Sequence, residues 1–299
     1  MSENSAIEWT HHTFNPWWGC AKVSPGCDHC YAERDAGRFE PNKTLWGVDA
    51  ARREFGDKHW DAPVKWNRAA EANGVRSRVF CASMADVFDK NAPAGARERL
   101  WALIKATPWL DWQILTKRIG NAKAMLPADW GGGYENVWLG ISVVNQEEAD
   151  RDIPKLLATQ ARVRFLSIEP MLGAIVLPKQ CDAGSTPGPG GVGGVTCALC
   201  GGNDGRGCLG VDWVICGGES GPKARPMHPD WARSLRDQCA AAGVSFLFKQ
   251  WGEWAPNWLN DDAGNKIPGS EWMDRMGKKI AGRVLDGRTH DGYHEGVAP

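Results

Sequence analysis

No stretch of this chain approaches the run of roughly 18 apolar residues that a membrane-spanning helix requires, so a helical membrane protein is not expected. An excess of one charge is equally lacking. The 35 Lys and Arg residues stand against 36 Asp and Glu, for a formal net charge of −1. That balance argues against a broad basic surface gripping nucleic acid, while leaving room for a local basic groove. The opening residues, Met1 to Glu8, are polar and acidic and lack the basic-then-apolar order of a signal peptide. The reading is a cytoplasmic protein. Tyrosine is scarce at 3 and phenylalanine at 8, yet tryptophan reaches 17 and cysteine 10. In a reducing compartment ten cysteines are not a disulfide framework, so any that cluster become candidates for metal binding or catalysis. The tryptophans are read first as large bodies filling a barrel core, with a stacking surface for bases or a flat cofactor as the alternative.

At 299 residues the chain can bury a large core as one α/β domain or two smaller ones. Six short apolar runs punctuate it: Arg78–Ala82, Trp112–Thr116, Val137–Ile141, Val163–Ile168, Asp212–Cys216 and Ser245–Lys249. Each is too short for a helix and lacks alternation, as expected of strands covered on both faces. Between them lie helix-like stretches at Pro93–Thr107, Gln146–Thr159 and Pro229–Ala242, the last ending at Gly243. Strand, helix, strand at this spacing predicts βαβ units and a parallel sheet. Polar groups follow every strand, as in a barrel enzyme that assembles its site at the C-terminal strand ends. A doubly wound sheet would concentrate them near one switch point. The expected fold is therefore α/β, a partial (β/α) TIM-like barrel of about six parallel strands over residues 1–252. A Gly/Pro-rich insertion at 178–210 interrupts it, and 253–299 form a small cap.

Within the insertion, Cys197-Ala-Leu-Cys200 followed by two glycines has the spacing of a zinc knuckle, which Cys208 and Cys181 could complete. Near the N-terminus Cys20, Cys27 and Cys30 occur as C-x6-C-x2-C on a loop. A structural zinc normally takes four protein ligands. Three thiolates suit an iron–sulfur cluster with one iron left open for a small molecule. His29 as a fourth ligand, or a returning His11 or His12, keeps zinc open as well. Cys81, Cys216 and Cys239 read as buried core thiols.

The segments Asn15-Pro-Trp-Trp-Gly-Cys20 and Ser24-Pro-Gly-Cys27-Asp-His-Cys30-Tyr-Ala-Glu resemble the start of a phage- and prophage-associated three-cysteine-motif family, a divergent relative of radical S-adenosylmethionine enzymes. The likeness continues through Ser83–Phe88, Leu115–Arg118, Val137–Ser142, Phe165–Pro170, Trp213–Gly221, Phe248–Gly252 and Leu285–Thr289, nearly the whole chain outside the insertion. The resemblance implies a [4Fe-4S] cluster held by Cys20, Cys27 and Cys30, with S-adenosylmethionine chelated at the open iron and cleaved to a radical. The first gap, six residues, is longer than the three usual in radical enzymes of this type. By position, Ser83 and Asp86 would meet the amino group of the cofactor, and Ser142 and Asn145 its ribose. Glu169 would do likewise or act as a general acid or base. Gly217 and Gly218, in the Gly-Gly-Glu-Ser-Gly turn, allow close backbone approach to a flat ligand, or simply a tight βα turn. The turn lacks the Lys-Ser/Thr of a phosphate loop. Lys117, Arg118, Arg225 and Lys249 are candidate partners for phosphate or carboxylate, or solvated charges. Glu169 and Glu219 both end strands, where they could face one cavity and perturb each other. Glu169, Glu219 and Lys249 are the catalytic candidates.

Three functions follow. The first is a radical enzyme acting on a nucleic acid base or nucleotide, served by an electron donor. The second is a deazaguanine-type base-exchanging transglycosylase with structural zinc, with Asp86 or Glu169 as nucleophile. The third is a zinc-stabilised module that binds a partner protein, which leaves the polar strand ends without a purpose.

Overall fold

The computed structural model describes residues 3–178, 210–258 and 271–294. Seven strands, β1 (His12–Thr13), β2 (Ser77–Cys81), β3 (Leu110–Thr116), β4 (Val137–Ser142), β5 (Val163–Ile168), β6 (Trp213–Gly217) and β7 (Ser245–Gln250), lie in one sheet in chain order. The fold is mixed α/β, with a half-barrel sheet of parallel strands. All six apolar runs are strands within one or two residues of their expected ends. The strands lack alternation because both faces are covered: all six residues of β4 are buried, as are all five of β6. The seventh strand, β1, is two residues long, too short to carry any periodicity. Only its parallel pairing with β2, His12 opposite Val79 and Thr13 opposite Phe80, defines it.

The helices are α1 (Tyr31–Phe39), α2 (Asp57–Trp60), α3 (Ala62–Asn73), α4 (Ala96–Lys105), α5 (Ala122–Met125), α6 (Gln146–Leu157), α7 (Pro229–Ala242) and α8 (Lys278–Ala281). Among the described residues no helix is long and apolar enough to cross a membrane.

The chain divides into two compact units. The first comprises residues 1–142, 152–166 and 294–299. Its core is aromatic: Phe14 stands edge-on to Trp112 at 5.7 Å and to Trp60 at 5.3 Å, and Trp9 packs on Phe80 at 4.6 Å. The second comprises residues 143–151 and 167–293. There α7 lays Leu235 and Cys239 into a core with Ile215, Leu247 and Phe248, all 0 % exposed. Ten of the 17 tryptophans are buried, so core filling is their main use. Each large apolar side chain so buried contributes roughly 1.5–3 kcal/mol. Cys81, Cys216 and Cys239 are fully buried, and burial raises all three thiols, Cys239 to about 12. They are core residues, as expected.

After Gly252 the chain forms β8 (Trp254–Asn257) and β9 (Trp272–Arg275), an antiparallel pair, then α8. Its later residues return to β6 and β7, where Phe248 N donates to His290 O at 2.9 Å and Trp213 Nε1 to Gly292 O at 2.8 Å. The expected zinc knuckle, with Cys181, Cys197, Cys200 and Cys208, lies outside the described residues.

Candidate functional site

In the first unit the segment from Asn15 to Cys20 runs from β1 across the C-terminal end of β2. Asn15, 0 % exposed, is its anchor. Asn15 Oδ1 accepts from Met84 N at 2.7 Å, its Nδ2 donates to Ser83 Oγ at 3.1 Å, and its main-chain oxygen lies 2.7 Å from His59 Nε2. Ser83 is thereby committed to Asn15, while its own carbonyl accepts from Tyr31 Oη at 3.0 Å. Gly19 has φ +114°, and a Cβ there would sit 2.4 Å from Leu45 O. A side chain cannot be accommodated at that crossing. Gly47 N donates to Cys20 O at 2.9 Å, fixing the first cysteine on its main chain. Beneath it Arg52 donates to the carbonyls of Leu45, Gly47 and Ala50 and pairs with Asp89 at 2.8 Å, with the two side chains 1 % and 5 % exposed.

The second and third cysteines are set by local structure. Ser24-Pro-Gly-Cys27 folds as a short 3-10 turn in which Ser24 Oγ accepts from Gly26 N. Cys30 is the N-cap residue of α1, whose buried Ala32 and Ala36 pack with Leu45 and Met84. Burial raises the Cys30 thiol, and the backbone N–H groups of Glu33 and Ala32 oppose that rise, helped by the charge of Lys117. Cys20 behaves alike: burial raises it to about 11, opposed by Arg118, whose Nη1 lies 3.3 Å from its sulfur. Two of the three sulfurs thus have donors and cations that oppose the effect of burial, although burial prevails and both thiols stay above their ordinary value.

Among the described residues no three His, Cys, Asp or Glu side chains gather closely enough to hold one metal ion. A mononuclear tetrahedral zinc needs its sulfurs within about 4 Å of one another. The thiolates of a four-iron cube stand farther apart, each on its own iron, so a criterion drawn for a single ion does not bear on a cube. Of the two histidines offered as returning ligands, His11 has its Nδ1 occupied, while His12 is held by ring stacking. His12 stacks on Trp66 at 4.4 Å, and His11 Nδ1 accepts from Arg78 N at 2.9 Å.

Asp86 is 5 % exposed and fully engaged. Its carboxylate accepts from Phe88 N (2.9 Å), Thr116 Oγ1 (2.8 Å), Lys117 N (3.1 Å) and Arg118 Nη1 (3.0 Å). With its oxygens so occupied, it is a frame for the loop after β3 rather than a free contact for an amino group or a nucleophile. Ser142 closes β4 and is buried.

The second unit holds a separate group of strand-end residues. Asn145 Oδ1 accepts from Glu148 N at 2.9 Å and Glu148 Oε2 from Val144 N at 3.1 Å, a reciprocal box that starts α6. The ribose role expected for Asn145 gives way to helix capping. Glu169 and Glu219 each face a cation of their own. Lys249 Nζ stands 3.2 Å from Glu169 Oε1, whereas Arg225 grips Glu219 with Nε at 2.8 Å and Nη2 at 2.6 Å. Opposite charge at these distances favours the ionised form of each carboxylate. The glycines of the turn serve the protein itself. A Cβ on Gly217 would lie 2.4 Å from Glu169 Oε1, and one on Gly218 would lie 1.9 Å from Trp251 O. The close approach read as room for a flat ligand is here made by a carboxylate and a carbonyl of the same chain. Gln250 Nε2 donates to Ser220 Oγ at 2.8 Å and Glu253 Oε1 accepts from Gly221 N at 3.0 Å, fixing the rest of the turn.

Asn15, Arg52 and Asp89 are organising residues that the sequence reading gave no role. Asn15 lay inside a motif read for its cysteines, and its partners stand 68 and 69 positions away. For Arg52 and Asp89 no local signal exists.

A family model described as a protein of unknown function (DUF5131) matches residues 4–294, and the chain belongs to that family. No curated protein and no solved structure matches.

Proposed function

We propose that this member of the DUF5131 family is a cytoplasmic iron–sulfur enzyme of the radical S-adenosylmethionine type, acting on a nucleic acid base or nucleotide. Cys20, Cys27 and Cys30 would hold a four-iron cluster and leave one iron for the cofactor. The observation that carries the reading is the cationic, donor-rich setting of the thiols: Arg118 on Cys20, and the first turn of α1 with Lys117 on Cys30. Burial alone keeps these thiols protonated, and the cations and N–H groups that oppose it are the partners a metal-bound thiolate would use. Bound there, a four-iron cluster supplies one electron for reductive cleavage of S-adenosylmethionine. Everything else is the work of the chain. Asn15 fixes the approach to Cys20, the 3-10 turn and α1 space Cys27 from Cys30, and Asp86 aims the Arg118 guanidinium. In the second unit Glu169 Oε1 and Lys249 Nζ, 3.2 Å apart, form a pair that can hold or pass a proton. Its two side chains are 14 % and 19 % exposed, so the pair is shielded without being sealed. The nucleic acid substrate, an electron donor and a partner protein belong to the same proposal, supported by the resemblance of the motifs alone.

The test is anaerobic reconstitution with iron and sulfide, followed by metal analysis and absorption spectroscopy. The expected result is about four irons per chain with a thiolate-to-iron charge-transfer band, both lost in Cys30→Ala. Equal iron in the variant, or a colourless protein carrying zinc alone, overturns the proposal.

A further inference from the structure

We propose that Arg118 is the positioning residue of the three-cysteine loop, orienting Cys20 and raising the electron affinity of the iron this loop would hold. The inference rests on the cluster reading above and adds a residue that lies outside the thiol set.

The geometry is a relay of fixed contacts. Arg118 leaves β3 two residues after its end, with its own N–H on Thr116 Oγ1 at 2.8 Å. Its Nη1 lies 3.0 Å from Asp86 Oδ2 and 3.3 Å from Cys20 Sγ, and its Nη2 donates to Ala21 O at 2.6 Å. The guanidinium therefore touches both the sulfur and the carbonyl of the next residue, which sets the direction of the Cys20 side chain. Asp86 cannot swing away, because Phe88 N, Thr116 Oγ1 and Lys117 N hold its other lone pairs. The Arg118 and Asp86 side chains are 9 % and 6 % exposed. Water screens them little, so the cation acts on the sulfur at short range. An ion pair serving stability alone would be complete with Asp86. The further contacts to Ala21 and Cys20 give this one a direction. A planar, permanently charged fork makes these contacts in a fixed geometry, whereas a lysine ammonium is a point charge on a flexible stem.

The electrostatic sign is fixed. Reduction adds negative charge to iron and its thiolates, and a cation with an N–H aimed at one sulfur stabilises the added electron. Removing it makes the centre harder to reduce.

The experiment compares the reconstituted full-length wild type with Arg118→Lys and Arg118→Gln. Iron content and circular dichroism are measured first, then midpoint potentials by redox titration monitored by electron paramagnetic resonance. The expected outcome is full iron in all three and a downward shift in potential, largest in Arg118→Gln and intermediate in Arg118→Lys. Full iron with equal potentials overturns the Arg118 inference and leaves the cluster reading standing. A wild type that takes up no iron defeats the cluster reading, and this inference with it. If Arg118→Gln fails to fold because Asp86 is left buried and unpaired, Arg118→Lys decides alone: a lowered potential supports the inference and an unchanged one refutes it.

Discussion

The Asp89 and Asp86 pairs of the first unit and the Glu169 pair of the second hold their charges in different ways. In the first, Asp89 with Arg52 and Asp86 with Arg118 are sealed, with side chains 1–9 % exposed and nearly every lone pair answered by a named donor. In the second, Lys249 Nζ stands 3.2 Å and 3.4 Å from the two oxygens of Glu169, beside a glycine that makes room for the carboxylate. A sealed pair with many partners resists any change of protonation or position, so it serves as scaffold. A pair with long contacts and some access to solvent can exchange a proton or take a ligand at modest cost. The contrast makes the cysteine-side pairs framing and leaves Glu169 with Lys249 as the pair on which to test the proposed acid–base role.

The most severe way to break that contrast is Asp89→Ala. It leaves the Arg52 cation buried without its carboxylate, and the expected loss is about 3–5 kcal/mol, read from urea denaturation. A loss within about 1 kcal/mol would mean that the sealed network is dispensable. Glu169→Gln sharpens the other side. The amide keeps the shape and an acceptor for Lys249 but removes its counter-charge, so stability should fall by about 1–2 kcal/mol, less than for the sealed pair. Iron uptake should stay at the wild-type level while turnover falls. A destabilisation as large as that of Asp89→Ala would make Glu169 scaffold too.

The smallest expected effect is one of pH. Burial lowers the pKa of His11, His12 and His59 below 6.5, and all three lie in the first unit, against His290 in the second. Near pH 6.5 the unfolded chain binds protons that these folded imidazoles refuse. Stability is therefore complete above that pH and declines as the pH drops through it. Hydrogen–deuterium exchange at pH 7.5 and 5.5, corrected for its intrinsic pH dependence, should register more lost protection in the first unit than in the second. Protection that holds or grows toward pH 5.5 in the first unit would contradict this.

Much of the framework was readable from residues alone. Val137–Ser142 and Trp213–Gly217 announce doubly covered strands because burial on both faces removes the polar alternation that a half-exposed strand must keep. Pro229–Ala242 announces its helix and its end, since Gly243 takes the left-handed conformation that closes it. The three cysteines mark their own loop. Other features leave no local trace. β1 is two residues long and exists through its partner, Asn15 finds its partners some 68 residues away, and the cation facing each glutamate depends on how separate loops meet. The reading of Gly217 and Gly218 shows the limit well. Two glycines declare that something comes close, but whether it is a ligand or the Glu169 carboxylate and Trp251 carbonyl is a matter of folding.

Strand identity and ligand inventory are local properties: a run of β-branched and aromatic residues or a spacing of thiols carries its physics within a few positions of the chain. Which charge meets which is decided across the fold. Coulombic and hydrogen-bond energies depend on distance and burial, and only the packed tertiary structure sets those for Arg118 against Cys20 and Lys249 against Glu169.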